Sequence, residues 1–349
     1  MSTVPPHLLQ TLLPTVDAVQ ISCAQALGSE VYVGCANGSL LRYTLQVGHD
    51  NQDFIRPPES YTLSSRQNLP SGKPIDELVL IPSLSRALIL SDRQIHIYTI
   101  PSLDPLPGAK PIRNVETFAV DHQHLLRPPP SPNDPPTRAL PVDFCVIKRT
   151  AIALFSISEE RLIHHSYPEQ EVPFQPGAQL ARRIGHFLCV ADTEYYNVVD
   201  MHNAQMFPLL PVNQAGDAAP VKPFISVVSE TEFLILSWTG ASTIGIFITG
   251  EGDPVRGTLT FPSHPLSICL DYPNVTALLP NGSIEIHDVE TQSIVQVIPP
   301  SQNEQLLGER VGVVSSTGGY LVPSQEQLDK LRKTKVRLPV HPEPVEPLG

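Results

Sequence analysis

Histidines have the widest range of chemistry near neutral pH, so their spacing is the first thing to read. His122 and His124 stand in the run Asp121-His122-Gln123-His124, and His164 and His165 are adjacent. A zinc site takes three or four ligands at characteristic spacing, and no cysteine or third histidine stands near either pair in sequence. Loop and strand-end histidines facing solvent are the simpler reading. A metal site assembled from distant segments stays open as an alternative. The five cysteines (Cys23, Cys35, Cys145, Cys189, Cys269) are scattered, odd in number and without a C-x-x-C pair. That pattern suits free thiols in a reducing compartment better than a disulfide framework.

Two glycine runs invite a nucleotide reading and fail it. Gly252 and Gly257 have the spacing of a P-loop, but Thr258 stands where a lysine must reach the phosphates. Gly250-Glu251-Gly252-Asp253 is followed by Pro254, which forces a turn where a helix N-terminus would have to receive a pyrophosphate. No G-x-S-x-G elbow is present, and the scattered Ser, His and Asp residues define no triad. The reading is therefore of a chain with no catalytic residue, no metal and no cofactor. What remains is charge for contacting partners: the Arg182-Arg183 pair, which reads more simply as a solvated β-turn, and a cluster of Lys330, Arg332, Lys333, Lys335 and Arg337 near the C-terminal end. The single tryptophan, Trp238, follows an apolar strand and reads as a packing residue more than an interface anchor.

The elements that would carry these residues are strands. From Phe233 to Ile298 five short apolar runs follow one another, each closed by Gly, Pro, Asn or Asp. Leu266, Ile268 and Leu270 alternate with Ser267 and Cys269, the period of a strand with one buried face. Asn274–Leu279, Pro280-Asn281-Gly282 and Ser283–Val289 read as a hairpin, the Asn-Gly pair suiting a type I′ turn. The same strand–turn–strand unit recurs at Val31–Leu45, Ala87–Ile100, Ala151–His164, Phe187–Val199, Phe233–Ile248, Val275–Val289 and Val311–Val322. Repeats of about 40–45 residues are the signature of four-stranded propeller blades.

The expectation is an all-β fold, a seven-bladed β-propeller over residues 1–323. Two longer intervals hold polar or Pro-rich insertions, Gln46–Pro74 and about 101–141, the latter with the run RPPPSPNDPP. Ring closure calls for strands from the N-terminal segment around Leu8–Gln25, which would leave no bare edge. Beyond Pro323, Ser324 and Gln327 form a capping box, and Gln325–Lys333 reads as a short exit helix. Residues 324–349 are then that helix and a basic, Pro-rich linker.

Composition agrees. Of 349 residues 38 are proline, about twice the usual share, which fits many strands joined by long loops. A net charge of −12 disfavours nucleic acid and anionic membrane as partners of the body of the domain. There is no 18-residue apolar run and no basic, uninterrupted leader at the start. The sequons at Asn37, Asn274 and Asn281 are better explained by turn chemistry than by glycans.

Several motifs together resemble a known family. Ile244-Gly245-Ile246-Phe247-Ile248, then Gly252-Asp253-Pro254-Val255-Arg256-Gly257, Phe261–Pro265, Tyr272-Pro273-Asn274, Ile284-Glu285-Ile286-His287 and Gln292–Ile298 follow in the order seen in citron-homology (CNH) domains. The closest likeness is to the type that opens vacuolar-sorting tether subunits of CORVET and HOPS and the TGF-β-receptor-associated protein. Tyr32-Val33-Gly34 and Gly38-Ser39-Leu40-Leu41 give a weaker echo of the first blade. The resemblance implies a non-catalytic interaction module of an endosomal or vacuolar tethering complex, CORVET-like before HOPS-like. It further implies binding of Rab-family GTPases or other tether subunits, cytoplasmic and peripheral on those membranes, with no small-molecule substrate. Two alternatives stand beside it: a propeller enzyme or metal protein with a site lining its channel, and a CNH domain from a kinase or exchange factor.

Overall fold

The computed structural model describes residues 7–13, 19–46, 60–130, 139–165, 172–174, 176–216, 220–300, 314–316, 319–323 and 331–336. The chain is an all-β propeller with almost no helix. Blade 1 is Ile21–Leu27, Glu30–Cys35, Ser39–Gln46 and Ser60–Asn68; blade 2 is Ile75–Ile81, Arg86–Ser91, Gln94–Thr99 and Ile112–Arg113. Blade 3 is Thr117–Val120, Val142–Ile147, Ala151–Ile157 and Leu162–His165, with Val172–Pro173 also against its third strand. Blade 4 is Leu180–Ile184, Phe187–Ala191, Tyr195–Asp200 and Gln205–Pro211. Blade 5 is Ile225–Ser229, Glu232–Trp238, Thr243–Thr249 and Leu259–Phe261; blade 6 is Ser267–Asp271, Asn274–Leu278, Ile284–Asp288 and Ile294–Ile298. Within each blade the four strands, a to d, pair antiparallel in chain order. All a–b and c–d loops therefore lie on one face of the ring, and all b–c and d–a loops on the other.

Alternation puts one side-chain set of each strand against the preceding blade and the other against the next, so the cores lie between blades. Tyr32, Leu40, Leu80 and Ile89 join blades 1 and 2; Leu88, Ile95, Phe118 and Phe144 join blades 2 and 3. Further round, Leu234, Phe247, Val275 and Ala277 join blades 5 and 6. One polar tie is buried with them. The Tyr196 hydroxyl donates to the Leu236 carbonyl at 2.6 Å and accepts from the Phe224 N–H at 3.0 Å.

Seven blades were expected and six are established. The last repeat, Val311–Val322, does not form a blade of the same kind. Its strands Val314–Ser316 and Gly319–Pro323 pair with Leu331–Val336, which pairs in turn with His7–Leu13 from the other end of the chain. Val314–Ser316 runs beside Ile21–Leu27 and Ser267–Asp271, the innermost strands of blades 1 and 6. The N-terminal strand thus takes the closing role foreseen for it, while Ile21–Gln25 belongs to blade 1.

The expected exit helix, Gln325–Lys333, is corrected at its last three residues. Leu331–Val336 is a strand, and residues 324–330 lie outside the described residues. A nine-residue helix with two leucines is marginal on its own, whereas pairing on both edges satisfies a full row of backbone groups.

Two insertions shrink for a related reason. Ser60–Asn68 in the first, polar nearly throughout, and Ile112–Arg113 and Thr117–Val120 in the second, only two and four residues long, are strands that the repeat pattern passed over. The true excess in blade 3 is its a–b loop, from the N-cap Asp121 and the one-turn helix His122–Leu125 to Pro141. The third repeat was read one strand late, its b strand being Val142–Ile147.

At Asn281-Gly282 only Gly282 has positive φ, 84°, so the turn is not type I′. The Asn281 Oδ1 instead accepts from the Ser283 N–H at 2.9 Å. Asn37-Gly38-Ser39 repeats that device at 3.0 Å, which explains two of the three sequons as turn chemistry.

Candidate functional site

The innermost strands of the six blades surround a channel of about 420 Å³, and the Arg182-Arg183 pair lines it. Both sit in strand Leu180–Ile184 of blade 4, not in the solvated turn expected from sequence. Arg182 reaches past blade 3 to Glu77 of blade 2, Nη1 to Oε1 3.0 Å, so the pair ties two blades that are not neighbours. Burial pushes the Glu77 carboxyl up, and the Arg182 guanidinium opposes that shift.

Arg183 turns to the other side of the strand and is enclosed. Its Nε donates to the Gly185 carbonyl at 2.7 Å and lies 3.9 Å from Oδ2 of Asp121, a residue only 3% exposed. Asp121 also accepts from the N–H groups of Gln123 and Gly185, at 3.1 and 3.2 Å. It therefore caps the one-turn helix and joins blade 3 to blade 4. Burial raises the Cys145 thiol to about 11, with Arg183 beside it pulling the other way. Gln25, Phe118, Lys222 and Phe224 complete the character of the channel, which is apolar walls with charges engaged at one side.

The other predicted residues separate. Arg332, Lys333 and Lys335 lie on Leu331–Val336, at register positions facing Thr11, Gln10 and Leu8 of the N-terminal strand. Lys330 and Arg337 lie outside the described residues. Trp238 closes the b strand of blade 5 and meets His264 edge-on, ring centroids 6.3 Å apart.

His122 and His124 are on the short helix, His124 Nδ1 accepting from the Asp143 N–H at 3.0 Å. His165 meets the Ser156 hydroxyl at 2.6 Å, and that hydroxyl donates to Asp143. Here the serine stands between the acid and the histidine. A nucleophilic triad needs the histidine in the middle to take the hydroxyl proton, so this is a cross-strand polar ladder. Among the described residues no group of three or more His, Cys, Asp or Glu could hold a metal ion.

The glycine-rich stretch after Ile248 has a structural use. It delivers Arg256 from the c–d loop of blade 5 into a two-blade bracket. Arg256 Nε and Nη2 face the two carboxylate oxygens of Glu232 at 2.7 and 2.8 Å, and Nη1 lies 3.1 Å from Glu290 of blade 6. The Tyr272 hydroxyl donates to the same Glu290, and the guanidinium sits 5.4 Å from the Phe247 ring centroid. Gly257 permits a close approach, since a Cβ there would stand 3.0 Å from Gln292 Oε1. His287 and Glu285 pair at 3.0 Å inside blade 6, with His287 against Phe261 of blade 5 at 4.5 Å. The Arg-Gly, Tyr-Pro and Ile-Glu-x-His motifs thus converge on one blade junction.

Sequence reasoning missed Glu77 and Asp121. Glu77 stands beside Asp76 at the start of an apolar strand and Asp121 at the end of another, and only the ring brings them to arginines 105 and 62 positions away.

The comparisons agree with the architecture. The profile of the VPS3 N-terminal domain matches residues 17–301. Human transforming growth factor-beta receptor-associated protein 1 is 26% identical over 331 residues, covering 92% of this chain and 36% of that protein. Vacuolar protein sorting-associated protein 3 of Saccharomyces cerevisiae is 21% identical over 337 residues, covering 94% of this chain and 30% of that protein. The chain spans about a third of the length of these relatives. Among solved structures the AfRom2 CNH domain superposes with a TM-score of 0.57 at 16% identity, covering 95% of this chain and 99% of that one. The Neurospora crassa Pan2 WD40 domain gives 0.61 at 9% identity, covering 97% and 98%. These likenesses speak for the propeller alone. The family profile spans all six blades, and the chain belongs to the VPS3 N-terminal domain family.

Proposed function

We propose that this chain is the non-catalytic interaction module of an endosomal or vacuolar membrane-tethering subunit, CORVET-like, and that it binds a Rab-family GTPase or a neighbouring tether subunit. The observation that carries the reading is the family match across residues 17–301 of a ring whose charged channel residues are engaged with one another. Loops on such a scaffold are suited to recognition, because the ring has already met the ordering cost. In this reading the chain works in the cytoplasm and reaches endosome or vacuole membranes through its partners. No helix among the described residues is long and apolar enough to cross a membrane.

The terminal sheet is, in this proposal, a seventh blade: its position between the inner strands of blades 1 and 6 supports that reading. Its third strand carries Arg332, Lys333 and Lys335, and with Lys330 and Arg337 this basic stretch is the proposed partner contact. Arg182 and Arg183 take second place, since Glu77 and Asp121 already engage them.

Pull-down against a panel of GTP- and GDP-loaded endosomal Rabs tests the proposal. Capture of one Rab in the GTP state, weakened by the double substitution Lys333→Glu/Lys335→Glu, is the expected result. If no Rab and no purified tether subunit is retained, the reading fails.

A further inference from the structure

The b–c and d–a loops of blades 2 and 3 meet around a second cavity, of about 560 Å³, on the opposite face from the Arg256 bracket. Arg93 lies in the b–c turn of blade 2, Arg113 ends its last strand, and Lys148 and Arg149 lie in the b–c turn of blade 3. Asn114 and Thr150 add an amide and a hydroxyl, and Gln94 stands opposite Arg113 in the strand register. The loops are held to one another by backbone bonds. The Val115 N–H donates to the Arg93 carbonyl at 3.0 Å, and the Glu116 N–H donates to the Ile147 carbonyl at 2.9 Å.

Three features set this pocket apart. The first is charge without neutralisation. Arg93 pairs with Glu116, but Arg113, Lys148 and Arg149 have no acidic partner among the described residues, and only Asp92 lines the pocket from the acidic side. This occurs in a chain of net charge −12, where cations left without acids are not the default. The second is backbone. Asp92, Arg93 and Asn114 have φ of 50°, 56° and 61°, three of the seven non-glycine residues with positive φ among the described residues. At Asp92-Arg93 this is the geometry of the two-residue turn joining Ser91 to Gln94, and it fixes where the Arg93 side chain leaves the hairpin. The third is the lining, which contains no apolar side chain. Protein interfaces take a buried aromatic or aliphatic anchor at their centre, and none is available here.

We infer that this pocket binds a compact, multiply charged polyphosphate anion, whether free in solution or as the headgroup of a polyphosphorylated lipid. Guanidinium groups match phosphate oxygens in a planar fork, and the lysine adds a point charge. The overall negative charge repels a diffuse anionic surface, so several phosphates must be grasped at once at short range.

The test uses the 349-residue chain with inositol hexakisphosphate in calorimetry. Flotation with vesicles of phosphatidylcholine carrying either phosphatidylinositol bisphosphate or phosphatidylserine runs beside it. Expected is saturable binding of the soluble polyphosphate, of the bisphosphate vesicles, or of both, the pattern naming the source. Phosphatidylserine vesicles should stay unbound. Arg113→Glu/Lys148→Glu should weaken binding by at least about tenfold for each cation removed. It should also flatten the salt dependence and leave the thermal melt unchanged. Arg113→Gln/Arg149→Gln gives the same readout with a milder change should the reversal disturb folding. No binding of either polyphosphate probe, equal binding by the variants, or equal binding of phosphatidylserine would each overturn the inference. So would capture of an acidic peptide in place of the polyphosphate.

Discussion

The junction of blades 5 and 6 and the junction of blades 2 and 3 both place arginine between neighbouring sheets, and they use it in opposite ways. Arg256 is held by two carboxylates and a ring face, with Glu232 4% exposed beneath it. Arg113 and Arg149 stand exposed beside turns with no acidic partner among the described residues. The first arrangement welds blades, because a buried carboxylate left alone is costly. The second leaves donor capacity free for something outside the chain. Residue type is the same in both, and it is the company of carboxylates that separates structure from recognition.

The largest effect expected from breaking this contrast is at Arg256. Arg256→Ala strands the Glu232 carboxylate inside the ring and should cost about 3 kcal/mol in denaturant unfolding. Arg256→Lys should recover only part of it, since a lysine cannot bridge both oxygens of Glu232 and reach Glu290. A loss below about 0.5 kcal/mol for the alanine variant would show that the bracket does not bind the blades.

Acid sharpens the comparison next. The hydrogen bond from Tyr272, and then Arg256, hold the Glu290 carboxyl below its ordinary value of 4.5. A depressed carboxyl contributes stability above its unfolded value and loses it as pH falls through the folded one. The stability difference between the unaltered chain and Glu290→Gln should therefore be constant from neutral pH down to about 4.5 and shrink below it. The cations of the other junction do not titrate there. A difference that grows on acidification would refute the assignment.

Histidines bury the same logic with the opposite sign of charge. Desolvation lowers His264, whose two ring nitrogens meet Thr243 and the Lys222 carbonyl at 3.0 and 2.7 Å. Its folded state resists protonation, so stability present at pH 7 is lost as pH falls below 6.5, and His264→Gln should flatten that slope. An unchanged pH profile of thermal unfolding in this variant would exclude the role.

The smallest effect belongs to Arg93. Arg93→Asn places a residue that tolerates positive φ in the turn and should change stability by less than about 0.5 kcal/mol. Polyphosphate binding should nonetheless weaken. Loss of stability without loss of binding would turn the pocket back into a structural device.

Strand after strand was legible because Val, Ile and Leu alternate with polar residues from Val31 to Val289, and short polar or glycine-containing turns separate the runs. Ser60–Asn68 was not, since an outer strand exposed on one side can be polar nearly throughout. Leu331–Val336 was misread for a different reason. The capping box at Ser324 and Gln327 and the leucines Leu328 and Leu331 satisfy local helix rules, and only partner strands from residues 7–13 and 319–323 make the extended form better at 331–336. The motifs around Arg256 were visible as a pattern, but their use was not, since Glu232 and Glu290 lie on different blades.

Alternation, turn chemistry and repeat length are local, so the chain alone determined that it would be an all-β propeller. Which charges meet is not local. Glu77 finds Arg182, Asp121 finds Arg183 and Arg113 finds no acid among the described residues, because ring closure places residues far apart in sequence at the same loop or channel wall. The electrostatic role of each cation was thus decided only when the blades came together, through distances of a few ångströms that no spacing along the chain encodes.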